Sequence, residues 1–121
     1  LLFLADLYVG SGQLDKALAA LVRLLKDYPA SDLQEQARLR RARIYLQQAH
    51  YDQAATEALD LANSSPDSEN APEALMLAAT ALRRAKKRDQ AVATLERLAQ
   101  KYPTTPQGKK AQTLLKELRK R

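Results

Sequence analysis

The chain has no cysteine and no tryptophan, and only one histidine, one phenylalanine, one methionine and three glycines in 121 residues. Without cysteine there is no disulfide framework and no thiolate metal site, and cytosol and periplasm remain equally open. The lone histidine, His50, stands in a polar break before Tyr51 and Asp52 and reads as a solvated loop residue. Nucleophilic or metal chemistry needs a base or a set of ligands at fixed geometry, and no such constellation is spelled out. No glycine-rich phosphate loop occurs either: Gly10, Gly12 and Gly108 suit turns and helix starts. The reading is a non-catalytic chain with no cofactor and no metal. Long apolar runs are also missing, since charges interrupt every one well short of the ~20 residues needed to cross a bilayer. The first residue, Leu1, already lies inside an apolar helical pattern. The chain is therefore expected to be part of a longer protein, with any targeting signal outside it.

What the chain does contain is repetition. "KDYPAS" at Lys26 to Ser31 returns as "QKYPTT" at Gln100 to Thr105, and "SSPDS" surrounds Pro66 midway between. An offset of 37 puts Pro29, Pro66 and Pro103 in one column, and Asp15-Lys16-Ala17, Asp52-Gln53-Ala54 and Asp89-Gln90-Ala91 in another. Ala37, Ala74 and Ala111 align as well, as do Leu24, Leu61 and Leu98. Such a period marks a solenoid, in which no unit buries its apolar face alone and neighbours must stack.

Each unit reads as two helices. Ser31, Ser68 and Thr105 follow the prolines and are placed to cap the next helix, with Ser31 and Gln34 forming a capping box. A first helix carries apolar and small residues at helical spacing, as in Leu75, Ala78, Ala79 and Leu82. It stops at Gly10-Ser11-Gly12, Gln48-Ala49-His50 or Ala85-Lys86-Lys87. A second helix bears a stripe such as Leu14, Ala17, Leu18, Leu21, Leu24 and Leu25. The proline column ends it, because proline lacks an N–H and disfavours helical conformation in the residue before it. Two columns are always small, Ala5/Ala42/Ala79 and Ala17/Ala54/Ala91, as closely crossing helices require.

On these residues the chain resembles the tetratricopeptide family. Its pattern runs from a large residue through Leu-Gly and Tyr to Ala-x-x-x-Phe and a closing Pro. The first unit offers Leu1, Leu4-Ala5, Tyr8, Ala17, Leu21 and Pro29; the second Ala42, Tyr45, Ala54, Ala58 and Pro66; the third Leu75, Ala79, Leu82, Ala91, Leu95 and Pro103. The resemblance implies an all-α, right-handed α-solenoid of three helix-turn-helix units, 1–30, 31–67 and 68–104, closed by a capping helix, 105–121. The period exceeds the family's usual ~34, and the extra residues are expected in the loop after each proline. Arg38 and Arg41 replace the large apolar pair of the middle unit, with Glu35 and Asp32 as candidate partners, so that unit should be the weaker one. In the last segment Lys116 enters the small-residue column while Ala111, Leu114, Leu115 and Leu118 keep one apolar face. The array is expected to end there.

Charge is uneven. Residues 1–68 carry seven Lys/Arg against nine Asp/Glu, and residues 69–121 carry thirteen against five. One dense run comprises Arg83, Arg84, Lys86, Lys87 and Arg88, and the tail "KELRKR" is another. Polyanion binding is one reading; helix-end and cap chemistry is the other. No aromatic residue interleaves with the basic runs, which argues against single-stranded nucleic acid.

In arrays of this kind first helices line a concave groove, which would place there Leu2, Phe3, Leu39, Arg40, Arg43, Met76, Leu77, Thr80 and Arg83. Asp6 is expected to pair with Arg43, and some of the apolar members could instead pack on neighbouring units. Such a groove suits an amphipathic helix or an apolar segment with an acidic flank. The "YP-x-[S/T]" punctuation resembles bacterial envelope proteins of the Tol-Pal-associated and outer-membrane assembly lipoprotein types. That resemblance implies a protein-binding adaptor in the periplasm or cell envelope. The alternatives left open are a docking region in exopolysaccharide export or pilus assembly, and an RNA-binding helical repeat. The small-residue column gives the first expectation: Ala79→Leu overpacks a helix crossing and should destabilise by roughly 1–3 kcal/mol. An unchanged urea midpoint would show that the helical register is misread.

Overall fold

The computed structural model describes residues 2–28 and 33–119, in which all regular structure is helical. Seven helices follow one another: α1 (Leu2–Gly10), α2 (Leu14–Asp27), α3 (Gln34–Gln47), α4 (Tyr51–Ser64), α5 (Ala71–Arg84), α6 (Arg88–Lys101) and α7 (Pro106–Arg119). Each packs on its neighbours in sequence, and α5 also touches α3 and α7. The result is a row of antiparallel helix pairs with α7 laid on the last. Leu1, Pro29, Ser31, Asp32, Lys120 and Arg121 carry some of the expectations above and lie outside the described residues.

The two alanine columns set the spacing. Ala5, Ala42 and Ala79 in the first helices, and Ala17, Ala54 and Ala91 in the second, are all buried. Around them the large side chains Leu21, Ile44, Leu61, Leu75, Leu95 and Leu98 are fully enclosed, each worth about 1.5–3 kcal/mol of transfer from water. Those of α1, α2 and one face of α3 form one apolar cluster, and those of α3 to α7 a larger one. As expected, α7 contributes Ala111 and Leu115 to it, while Lys116 stays exposed.

Each pair is closed by the same main-chain device. Gly12, Ala49 and Lys86, one period apart, have φ of 78°, 64° and 64°. The N–H of each reaches a carbonyl three residues back: Gly12 to Val9 at 3.0 Å, Ala49 to Leu46 at 3.1 Å, Lys86 to Arg83 at 3.0 Å. The next residue reaches five back, Gln13 to Tyr8, His50 to Tyr45 and Lys87 to Leu82, at 2.8 to 2.9 Å. This is the left-handed C-terminal cap of a helix. Glycine takes it freely; Ala49 and Lys86 take it at a steric cost that the two carbonyl bonds offset. The second helices start with Asp15, Asp52 or Asp89 in the first turn, where the helix dipole favours an anion. They end at Tyr28, Ser65 and Tyr102, each out of helical conformation and just before a proline.

The connectors depart from expectation. Ser68 does not cap α5 directly, for the helix begins only at Ala71. Its hydroxyl accepts from Asn70 N at 3.1 Å and donates to Glu35 on α3. Thr105 does cap: its Oγ1 accepts from Gly108 N at 2.9 Å and donates to Tyr102 O at 2.8 Å. The extra residues after Pro103 thus form the first turn of α7 rather than a loop. Gly108 permits this, since a Cβ there would lie 1.8 Å from Tyr102 O. Gln34, whose capping-box partner Ser31 is outside the described residues, instead donates its side-chain amide to Leu25 O at 3.2 Å and Tyr28 O at 2.8 Å. It ties the start of α3 to the end of α2.

Arg38 and Arg41 do not pair with Glu35, and Asp32 lies outside the described residues. Both reach across to Glu57 on α4, at 3.4 and 2.7 Å, while Glu35 accepts from Ser68 and Asn70. The side chains of Arg38, Arg41 and Glu57 are 28%, 23% and 14% exposed, and Arg41 Nε is buried with no hydrogen bond. One period on, the same positions hold buried Leu75, Ala78 and Thr94. The middle pair therefore meets through a partly dehydrated ion triad where the last meets through apolar contact. Glu57→Ala, which strands two guanidinium groups, should cost about 1–3 kcal/mol. Copying the last pair, with Arg38→Leu, Arg41→Ala and Glu57→Thr together, should leave stability equal or higher; chemical denaturation of both variants compares the two.

Candidate partner-binding surfaces

The first-helix side chains assigned to a groove divide into three groups. Leu39 and Leu77 are 4% and 8% exposed and belong to the larger core cluster. They are core, not groove lining: at these places α3 and α5 turn the side chain toward the neighbouring helices. Leu2 and Met76 are half-buried against core clusters. Thr80 is also half-buried, and its Oγ1 donates back to Met76 O at 2.9 Å. Phe3, 76% exposed, is the fully open apolar member. Leu4, Leu7, Val22 and Tyr28 of the first pair are exposed as well, so that pair offers more apolar surface than the others.

Two of the charged members, Arg40 and Arg43, are engaged with carboxylates, while Arg83 makes no ion pair among the described residues. Arg40 Nε and Nη2 donate to the two carboxylate oxygens of Asp6, at 2.9 and 3.3 Å. Arg43 pairs with Glu73 on α5, not with Asp6. Burial lowers the Arg43 pKa, nearby Arg40 lowers it further, and the Asp6 carboxylate opposes both. Two ion pairs thus bridge α1 to α3 and α3 to α5. Between α1 and α3 they border a hollow of about 100 Å³ with Ala5, Val9, Leu21 and Ile44 in its walls. Pairs this exposed contribute only about 0–1 kcal/mol each, but they occupy the cations that a ligand carboxylate would use.

The basic run is dispersed by the fold. Lys87 Nζ pairs with Asp52 on α4 at 2.8 Å, and Arg88 Nη2 donates to Leu118 O, near the end of α7, at 2.7 Å. Arg83, Arg84 and Lys86 are exposed and make no ion pair among the described residues. Arg83 and Arg88 line one hollow of about 180 Å³, with Ala91 and Leu118 as its apolar walls. That convergence of α5, α6 and α7 is not evident from the linear run. Among the described residues no group of three His, Cys, Asp or Glu side chains could hold a metal ion, and no helix is long and apolar enough to cross a membrane.

Comparison with known families fits this architecture. The family model YfiO, described as outer membrane lipoprotein, matches residues 5–121. The chain belongs to that family. It is thus an all-helical protein of the bacterial cell envelope, of the tetratricopeptide type, and its setting is one of protein–protein interaction. No curated protein sequence matches the chain significantly.

Burial separates the roles of the first-helix residues. Leu39→Ala should cost about 2–5 kcal/mol, as a large-to-small change in a core does. Phe3→Ala should leave the unfolding midpoint nearly unchanged. Similar midpoint shifts for the two would contradict the division.

Proposed function

We propose that the chain is a non-catalytic adaptor of the outer membrane, a single domain whose first-helix face binds a segment of another envelope protein. The family match over residues 5–121 carries the reading, and the helical array supports it, since stacked helix pairs present extended surfaces without a chemical centre. The charge pattern refines the partner. Arg40 and Arg43 are already neutralised by Asp6 and Glu73, so the accessible apolar contacts on this face are Phe3 and the half-buried Leu2 and Met76. A partner would therefore engage it through apolar side chains, with methionine adapting its shape to the contact. The RNA-binding alternative loses support, because neither side chain of the basic hollow's walls nor its rim is aromatic.

A photo-crosslinking residue placed at Phe3, at Met76 and, as a control, at Thr56 on α4 tests the reading in the native envelope. One discrete envelope protein captured from positions 3 and 76, and not from 56, is the expected result. Capture from position 56 alone would place the binding face on the second helices and overturn the proposal.

A further inference from the structure

The junction of α5, α6 and α7 has two counterparts earlier in the chain, and at both of them the two positions equivalent to Arg83 and Arg88 hold apolar side chains packed on the core. One period back from Arg83 and Arg88 stand Leu46 and Tyr51, packed as partly buried side chains against Ala54 and Ala81. Two periods back stand Val9 and Leu14, packed in the same way against Ala17 and Ile44. At the third junction the walls persist as Ala91 and Leu118, but both plugging residues have become arginine, and about 180 Å³ stands open, the space of about six water molecules.

Replacing both apolar plugs at a helix junction removes burial that the other junctions have. Departures from a chain's own packing rule are expected where a site is built. The arginines are also suitably placed. Arg88 is held by its bond to Leu118 O, and neither its other donors nor Arg83 has an ion-pair partner among the described residues. Arg84 and Lys86 stand nearby in sequence and are exposed.

We propose that this junction, at the C-terminal end of α5, is a second binding site in addition to the apolar contacts of the first-helix face, and that it takes an acidic segment of a partner protein. One apolar side chain of the segment fills the vacant plug position between Ala91 and Leu118, and flanking carboxylates pair with Arg83 and Arg88. Guanidinium groups at the mouth of an apolar hollow favour such a ligand, because a carboxylate can accept two parallel N–H bonds. A flat lipid surface would reach the rim but not the walls. Nucleic acid would find no stacking partner there, since no aromatic residue lines the hollow.

The test uses the 121-residue chain and a fluorescein-labelled peptide in which a central tyrosine is flanked on each side by two glutamates, with a glutamine-flanked peptide as control. Fluorescence anisotropy should show binding of the glutamate peptide and at least about tenfold weaker binding of the control, the scale of one or two charge-assisted hydrogen bonds. Arg83→Leu with Arg88→Tyr restores the plug of the preceding junction. It should abolish peptide binding and raise the urea midpoint. Arg83→Gln alone should weaken binding by about tenfold on the same grounds with no loss of helicity. Lys109→Gln with Lys110→Gln removes equal charge from α7 elsewhere and should change binding less than twofold. Equal losses in the plug and lysine variants would mean attraction by net charge alone and would overturn the proposal. So would a plug variant less stable than the parent. Binding to phosphatidylglycerol vesicles but not to the peptide, lost in the plug variant, would replace the proposal with a membrane contact.

Discussion

The whole array depends on how closely its helices cross. At Ala5, Ala42 and Ala79, and again at Ala17, Ala54 and Ala91, side-chain exposure is 0% or 1%, and a methyl group is all that separates one helix from the next. Close crossing lets fourteen-residue helices, too short to be stable alone in water, bury leucines on both sides of each contact. It also makes the unit dependent on its neighbours, because α3 and α5 each contact the second helix before and the one after. Lys116 stands exposed where the column would place another alanine.

Polar contacts do a different job: they fix how one pair lies against the next. Gln34 binds the end of α2, Glu35 holds Ser68 and Asn70 before α5, Tyr102 donates its hydroxyl to Pro66 O, and Asp15 and Asp52 accept from Gln48 and Lys87 of the following pair. Each is a bond of modest net worth, but all except those of Gln34 join residues about one repeat apart. They specify register between pairs where apolar packing alone would tolerate sliding.

Much of this was legible in the sequence, for physical reasons. A fixed period repeats the backbone environment, so helix starts, elbows and core positions are read several times over. What the period conceals is the direction of individual side chains on a helix in contact with three others. Leu39 shares its column with the half-buried Met76 and Leu77 shares its column with Arg40, and only the position of the neighbouring helices decides which of them are buried. Long charged side chains are worse still: Arg38 and Arg41 have carboxylates nearby in sequence yet reach Glu57 on the next helix. Arg83 and Arg88 show the opposite lesson. Their columns, Val9/Leu46/Arg83 and Leu14/Tyr51/Arg88, are visible in the chain, but reading the basic residues as one run hid that two of them replace a packed pair.

The elbows and the connectors divide the work of the chain unequally. The segment joining the helices of a pair is always the same length, 11–13, 48–50 and 85–87, because the bonds that close it count residues. The segment joining one pair to the next is under no such rule: 65–70 spans six residues, whereas 102–105 spans four and hands the remainder to α7. Length can therefore enter or leave the connectors without reshaping a pair. A repeat longer than its family's norm then becomes a way of altering the pitch at which successive pairs are stacked, and with it the spacing of whatever the array presents to its partners.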